Sequence, residues 1–220
     1  MRLESSMISL MKVREQVVPF VEITGAEPGF KLDIRYARRD NFFGRKVYPV
    51  AKFYVLEQVA VDLGRVRDAL RTEGFGLLLF DGYRPWSVSK LFWDESSEEN
   101  RAFLANPADG SSHNRGCAAD LSLFHLASGM PAVMPSDFDE MNEKAAADYS
   151  GGEERARENR DLLRKTMELF GFSGIPNEWW HYNHESRRHW PVMNFSFEEI
   201  EKAPQIHRPP QGLSRTSVDF

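Results

Sequence analysis

The stretch that most narrows what this chain can fold into is Cys117-Ala118-Ala119-Asp120-Leu121-Ser122-Leu123, which alternates like a buried strand yet carries one acidic side chain at its centre. An ionised carboxylate in such a place is costly unless a positive charge faces it. The fold therefore has to bring a cation to Asp120, either a metal ion or an arginine. His113 lies seven residues earlier, with Gly116 between them, where the absence of a Cβ lets the backbone turn. A loop entering a strand in this way can bring an imidazole and a carboxylate round one point. Cys117, in the same apolar run and with no obvious base, reads as a small core residue rather than a nucleophile.

A second constellation lies far downstream at Glu178-Trp179-Trp180-His181. Residues i and i+3 share a face on a helical turn but not on a regular strand. A turn or bulge here would let His181 join His113 and Asp120 as a metal ligand and leave Glu178 as a spare carboxylate. Two imidazoles, a carboxylate, an open position for water and a base beside it make up the inventory of a hydrolytic zinc site. The competing reading is a packed aromatic strand whose His and Glu face solvent. His184 and His189 are rival ligands, and the absence of any His-Glu-x-x-His pair excludes the thermolysin-like arrangement. Arg84 follows a run expected to be a central strand, where a guanidinium can stabilise an oxyanion or simply pair with Asp81. Asp139 lies in an acidic loop.

In chain order, residues 1–15 are expected to be a loose arm, 16–202 a single domain and 203–220 a surface tail, a layout that suits 220 residues. Strands are expected at 17–23 (with Pro19 favouring a sheet edge), 30–36, 77–80, 117–124, 130–134, 178–183 and 192–197. The apolar spacing of Val55, Leu56, Val59, Leu63, Val66 and Leu70 predicts a helix over 54–71, stopped by Gly74. Ser87 is expected to cap a second helix through Phe92, and a third runs over 153–170, ended by Gly171. Phe42 and Phe43 sit in a loop expected to cover something. Strands without regular β-α alternation point to an α+β fold with a mainly antiparallel sheet and flanking helices.

Twenty-eight basic and 33 acidic residues are well mixed, for a net charge of −5, so no basic stripe favours a nucleic-acid partner. A single cysteine makes the fold independent of an oxidising compartment. No apolar run approaches the roughly 18 residues of a membrane span. Met7 to Met11 is too short and interrupted for a signal-peptide core. A cytoplasmic protein is expected, with the periplasm as the alternative.

At these residues the sequence resembles the VanX-type D-alanyl-D-alanine dipeptidases, zinc peptidases of the M15 class. The pattern Ser-x-His-x-x-Gly-x-Ala-x-Asp is matched by Ser111, His113, Gly116, Ala118 and Asp120, and Glu-x-Trp-His by Glu178, Trp180 and His181. Asp33-Ile34-Arg35-Tyr36, Asn41-Phe42 with Gly44, Asp81 to Pro85 and Phe138-Asp139 follow in register, so the likeness runs from about residue 30 to 195. It implies one zinc per chain held by His113, Asp120 and His181, with Glu178 as catalytic base and Arg84 polarising the scissile carbonyl. It further implies that Asp139 grips the substrate ammonium and that Ser111 and Tyr36 line the pocket. The implied fold is the compact α+β shared with the amino-terminal domain of hedgehog proteins. The implied activity is hydrolysis of D-alanyl-D-alanine, a small dipeptide substrate, by attack of a zinc-bound water, in peptidoglycan recycling or glycopeptide resistance. The alternatives are a D,D- or L,D-carboxypeptidase of muropeptides, or a non-catalytic hedgehog-like zinc module.

Overall fold

A computed structural model describes residues 6–13 and 15–208 of the chain. Its strands are β1 (Ser6–Val13), β2 (Gln16–Glu22), β3 (Phe30–Leu32), β4 (Tyr54–Leu56), β5 (Phe75–Asp81), β6 (Ala118–His125), β7 (Phe172–Ile175), β8 (Glu178–His184) and β9 (Gln205–Arg208). Its helices are α1 (Glu57–Thr72), α2 (Trp86–Glu95), α3 (Glu154–Leu169) and α4 (Phe197–Lys202). The fold is α+β, with two sheets ordered β4-β2-β1-β9 and β3-β5-β6-β8-β7. Every pairing is antiparallel except β3 with β5.

The five-stranded sheet positions the site. Helices α1 and α3 pack together and lie against its strands, burying Val59, Leu63, Val66 and Leu70 from one and Leu163 and Met167 from the other. Tyr182 of β8 sits against Arg160 and Arg164 of α3, so its face is the helix-covered one. Tyr182 pairs with Ala119 across the ladder, and strand alternation then sends Asp120 and His181, the next pair along, to the opposite face.

Several expectations are corrected. The arm expected to be loose contains β1, which pairs with both β2 and β9, because its Ile8 to Val13 segment supplies strand residues that extend the β2 hairpin. The tail likewise contributes β9 to that sheet. Residues 1–5, 14 and 209–220 lie outside the described residues. Pro19 is not on an edge strand, since β2 is interior. The missing N–H is tolerated because β4 pairs only with Phe20 to Glu22, while Leu10, opposite Pro19, directs its own N–H to the Pro204 carbonyl. The strand expected over 30–36 stops at Leu32, and Arg35–Ala37 form a 3₁₀ turn.

Tyr54 to Leu56 pair with β2 before α1 begins at Glu57. Helix α2 starts at Trp86, and Ser87 lies inside it; the Ser87 N–H is instead taken by Asn194 Oδ1 at 2.8 Å. Of the strand expected at 130–134 only a Phe124–Pro131 bridge forms. No strand runs through 192–197, because Ser196 and Glu199 make a reciprocal capping box that opens α4 at Phe197. Gly74 and Gly171 follow α1 and α3 closely with φ of +82° each, the left-handed conformation expected of helix stops.

Candidate metal centre and active site

Two local irregularities build the site. Between β7 and β8 the register slips: Gly174 pairs with Tyr182 but Ile175 with Glu178, so residues 179–181 bulge out of the ladder. That bulge brings Glu178 and His181 to the same pocket, as an unbroken strand would not. On the other side His113 sits in a 3₁₀ turn, His113–Arg115, closed by Gly116 at φ +65°. A Cβ on Gly116 would stand 3.0 Å from Leu56 Cγ, so both backbone conformation and space call for glycine.

The result is a triangle of donor atoms. His113 Nε2 lies 3.1 Å from His181 Nδ1 and 3.3 Å from Asp120 Oδ1, and His181 Nδ1 lies 2.9 Å from Asp120 Oδ1. All three residues are buried. A tetrahedral zinc with ligands at about 2.0–2.2 Å spaces its donors roughly 3.3–3.6 Å apart, so this triangle has to widen only slightly to hold zinc. The hydrogen bonds on the outer ring nitrogens agree with that fit. His113 Nδ1 donates to the Gly82 carbonyl at 2.6 Å, and His181 Nε2 donates to Asn183 Oδ1 at 3.1 Å. In its neutral form each imidazole then turns a lone pair toward the carboxylate oxygen, and three acceptors facing one point call for a positive charge among them, a metal ion or a proton. Burial pushes the Asp120 carboxyl up, and positive charge and donated hydrogen bonds from His113 and His181 pull it well below the usual carboxylate range; when the imidazoles face it with lone pairs instead, a bound cation has to supply that charge.

Glu178 stands just outside the triangle, with Oε2 4.0 Å from His181 Nδ1. Burial pushes its carboxyl up to about 7, into the range of a proton-transfer group working near neutrality. The Arg84 guanidinium is buried and pairs with Asp81, one of the two readings. Its Nε and Nη2 donate to Asp81 Oδ2 at 2.8 and 2.7 Å, while Nη2 also lies 3.7 Å from Asp120 Oδ2. Asp81 is held in turn by the Tyr48 hydroxyl at 2.7 Å. A bulge between Leu79 and Asp81 sets Asp81 opposite Asp120.

Asp139 is, among the described residues, the one non-glycine with positive φ (60°), a strained conformation that its surroundings must hold. It accepts a hydrogen bond from the Tyr36 hydroxyl at 2.8 Å, and burial pushes its carboxyl up to about 8. Ser111 donates its backbone N–H to Asn114 Oδ1 at 2.9 Å. His113, Asp120, His181, Glu178, Arg84, Asp139, Tyr36 and Ser111 line one cavity of about 370 Å³. Phe42 and Phe43, whose loop was expected to cover something, form part of its wall.

His184 is spent elsewhere, with Nε2 on Asp62 Oδ2 at 3.1 Å and Nδ1 on the Ser186 hydroxyl at 2.7 Å. His189 is exposed. Cys117 is buried, and burial pushes its thiol up to about 11, in keeping with a core role. Sequence reasoning missed Asn114, which is fully buried and ties the His113 turn to the Arg84 carbonyl and the Ser89 hydroxyl, each at 2.8 Å. It also missed Asn183, although the i, i+2 spacing from His181 was a readable sign that both share one strand face.

The arrangement is that of a metallopeptidase: a buried His113, Asp120 and His181 metal-binding cluster at the floor of a cleft, with a separate carboxylate beside it. The chain belongs to the D-ala-D-ala dipeptidase family, peptidase M15, whose model matches residues 16–200. Members of this family are zinc-dependent. A D-alanyl-D-alanine dipeptidase of Enterococcus faecalis is 38% identical over 172 residues, covering 70% of this chain and 85% of that protein. One of Streptomyces coelicolor is 32% identical over 187 residues, covering 77% and 92%. Among solved structures, VanYB in complex with D-alanine-D-alanine aligns at a TM-score of 0.38 with 18% identity, over 62% of this chain and 74% of that one, a likeness too distant to bear on the site.

Proposed function

We propose that this protein is a zinc-dependent dipeptidase that hydrolyses D-alanyl-D-alanine. The observation that carries the reading is the division of labour among the acids: Asp120 is inside the donor triangle, and Glu178 is beside it but not part of it. A structural metal site has no use for that second carboxylate.

A zinc ion held by His113, Asp120 and His181 would supply Lewis-acid activation of water and of the scissile carbonyl. Glu178 takes the proton of the attacking water and delivers it to the departing amine, a role supported by its raised affinity for a proton. Arg84, fixed by Asp81, faces the negative charge that develops on the carbonyl oxygen. Asp139 receives the free ammonium of the substrate, and Tyr36 holds Asp139 in its strained conformation. Ser111 lines the pocket near His113. The cleft walls of Trp180 and Phe92 keep the reacting groups in a medium where these charges act strongly.

Among the described residues, no helix is long and apolar enough to cross a membrane. We propose the cytoplasm as the protein's compartment, with the periplasm as the alternative, to be decided by cell fractionation.

The test is release of D-alanine from D-Ala-D-Ala and from its N-acetylated form by the zinc-loaded protein. Turnover of the free dipeptide and rejection of the acetylated one is the expected result. No turnover of either overturns the reading, and equal turnover of both makes the protein a carboxypeptidase instead.

A further inference from the structure

The two metal-facing imidazoles are oriented by different means. His113 gives its Nδ1 proton to a backbone carbonyl, that of Gly82. His181 gives its Nε2 proton to a side chain, Asn183 Oδ1, at 3.1 Å. His181 and Asn183 are two apart on β8 and share a face. Asn183 is pinned by ladder pairing on both sides, to Ala118 of β6 and Ser173 of β7. Placing Oδ1 on His181 decides where the rest of the amide goes. Nδ2 makes no hydrogen bond among the described residues, and Asn183 lines the same cavity as Glu178, Arg84 and Asp139.

We propose that Asn183 works with both ends of its amide: Oδ1 locks His181 in the tautomer that presents Nδ1 to the metal, and Nδ2 donates a hydrogen bond to an oxygen of the bound dipeptide. The first role makes it a positioning residue for a ligand, and the second makes it part of the substrate site. Both rest on the zinc-dipeptidase reading above. An acceptor on the far nitrogen of a metal-binding histidine typically contributes ten- to a hundredfold in metal affinity. A carboxamide supplies this acceptor and a donor on two separate atoms of one neutral group.

Two substitutions separate the ends. Asn183→Leu removes acceptor and donor at similar size; Asn183→Asp keeps the acceptor but replaces the donor with a negative charge. Zinc affinity is measured on each apoprotein by competition with a chelator, and KM and kcat for D-Ala-D-Ala are measured at saturating zinc. Asn183→Leu is expected to bind zinc about ten- to a hundredfold more weakly. Asn183→Asp is expected to bind zinc at least as tightly as wild type, yet to raise KM at least about tenfold, the scale of one lost hydrogen bond to a charged group. Wild-type zinc affinity in Asn183→Leu overturns the tautomer lock, and wild-type KM in Asn183→Asp overturns the donor role. Both results presuppose a wild-type protein that binds zinc and releases D-alanine; its failure to do so refutes the dipeptidase reading itself.

Discussion

Asp120 and His181 stand directly opposite each other on adjacent antiparallel strands, with Oδ1 and Nδ1 2.9 Å apart. Two of the three donors are thus set by the sheet itself. The third, on His113, depends on a single turn, and so do its consequences.

Gly116→Ala is expected to separate these contributions. The left-handed conformation costs roughly 1–2 kcal/mol for a residue with a Cβ, and the added atom meets Leu56 at 3.0 Å. We expect a lower Tm together with weaker zinc binding, whereas Gly44→Ala, also at positive φ but with open space around it, should lose stability alone. Calorimetry and a zinc titration check both.

Arg84 carries two loads, and they can be told apart. Arg84→Ala is expected to cost about 3–4 kcal/mol of transition-state stabilisation, the scale of a lost oxyanion donor, and to destabilise the fold by a further few kcal/mol because Asp81 is left buried without its counter-charge. Adding Asp81→Asn should restore part of the stability and none of the turnover. Denaturant unfolding and kcat measured on the same pair of variants decide it.

Asp139 gives a pH signature. Its carboxyl titrates near 3.8 when unperturbed and near 8 in the fold, where burial disfavours its charge. Between those values the folded protein holds more protons than the unfolded chain, so this group lowers stability as pH rises. Asp139→Asn is therefore expected to raise Tm above wild type by more at about pH 9 than at about pH 5. The same variant should raise KM for the free dipeptide and flatten the rise of kcat/KM through pH 8, since ammonium recognition needs the ionised form.

Zinc removal should register as lost stability as well as lost activity. An ion that binds only the folded chain adds about 2.7 kcal/mol at a hundred times its Kd. Treatment with a chelator is expected to lower Tm, and re-addition of zinc to restore it, in wild type but not in Asp120→Ala.

Much of this site was legible because it breaks the rules of the elements that carry it. A carboxylate amid Ala118, Ala119 and Leu121 demands a cation, and Glu178 and His181 three apart on a strand demand a bulge; the β7–β8 register slip supplies it. Helices α1 and α3 were legible from their apolar spacing and their glycine stops. The first sheet was not, since β1 and β9 lie far apart in the sequence and order by pairing with each other, β1 also with β2. The capping box of Ser196 and Glu199 was present in the sequence but outweighed by the β-branched and aromatic residues around it. Asn114 left no trace, because a fully buried asparagine is specified by tertiary partners, Arg84 and Ser89, rather than by local pattern.

The most direct test of the central claim sets zinc content against turnover in Glu178→Gln. If the donor triangle holds the metal and the neighbouring carboxylate moves the proton, this variant will retain one zinc per chain while D-Ala-D-Ala hydrolysis falls by about 10²–10⁴-fold. Loss of zinc along with Glu178, or turnover close to wild type with zinc in place, would contradict the account.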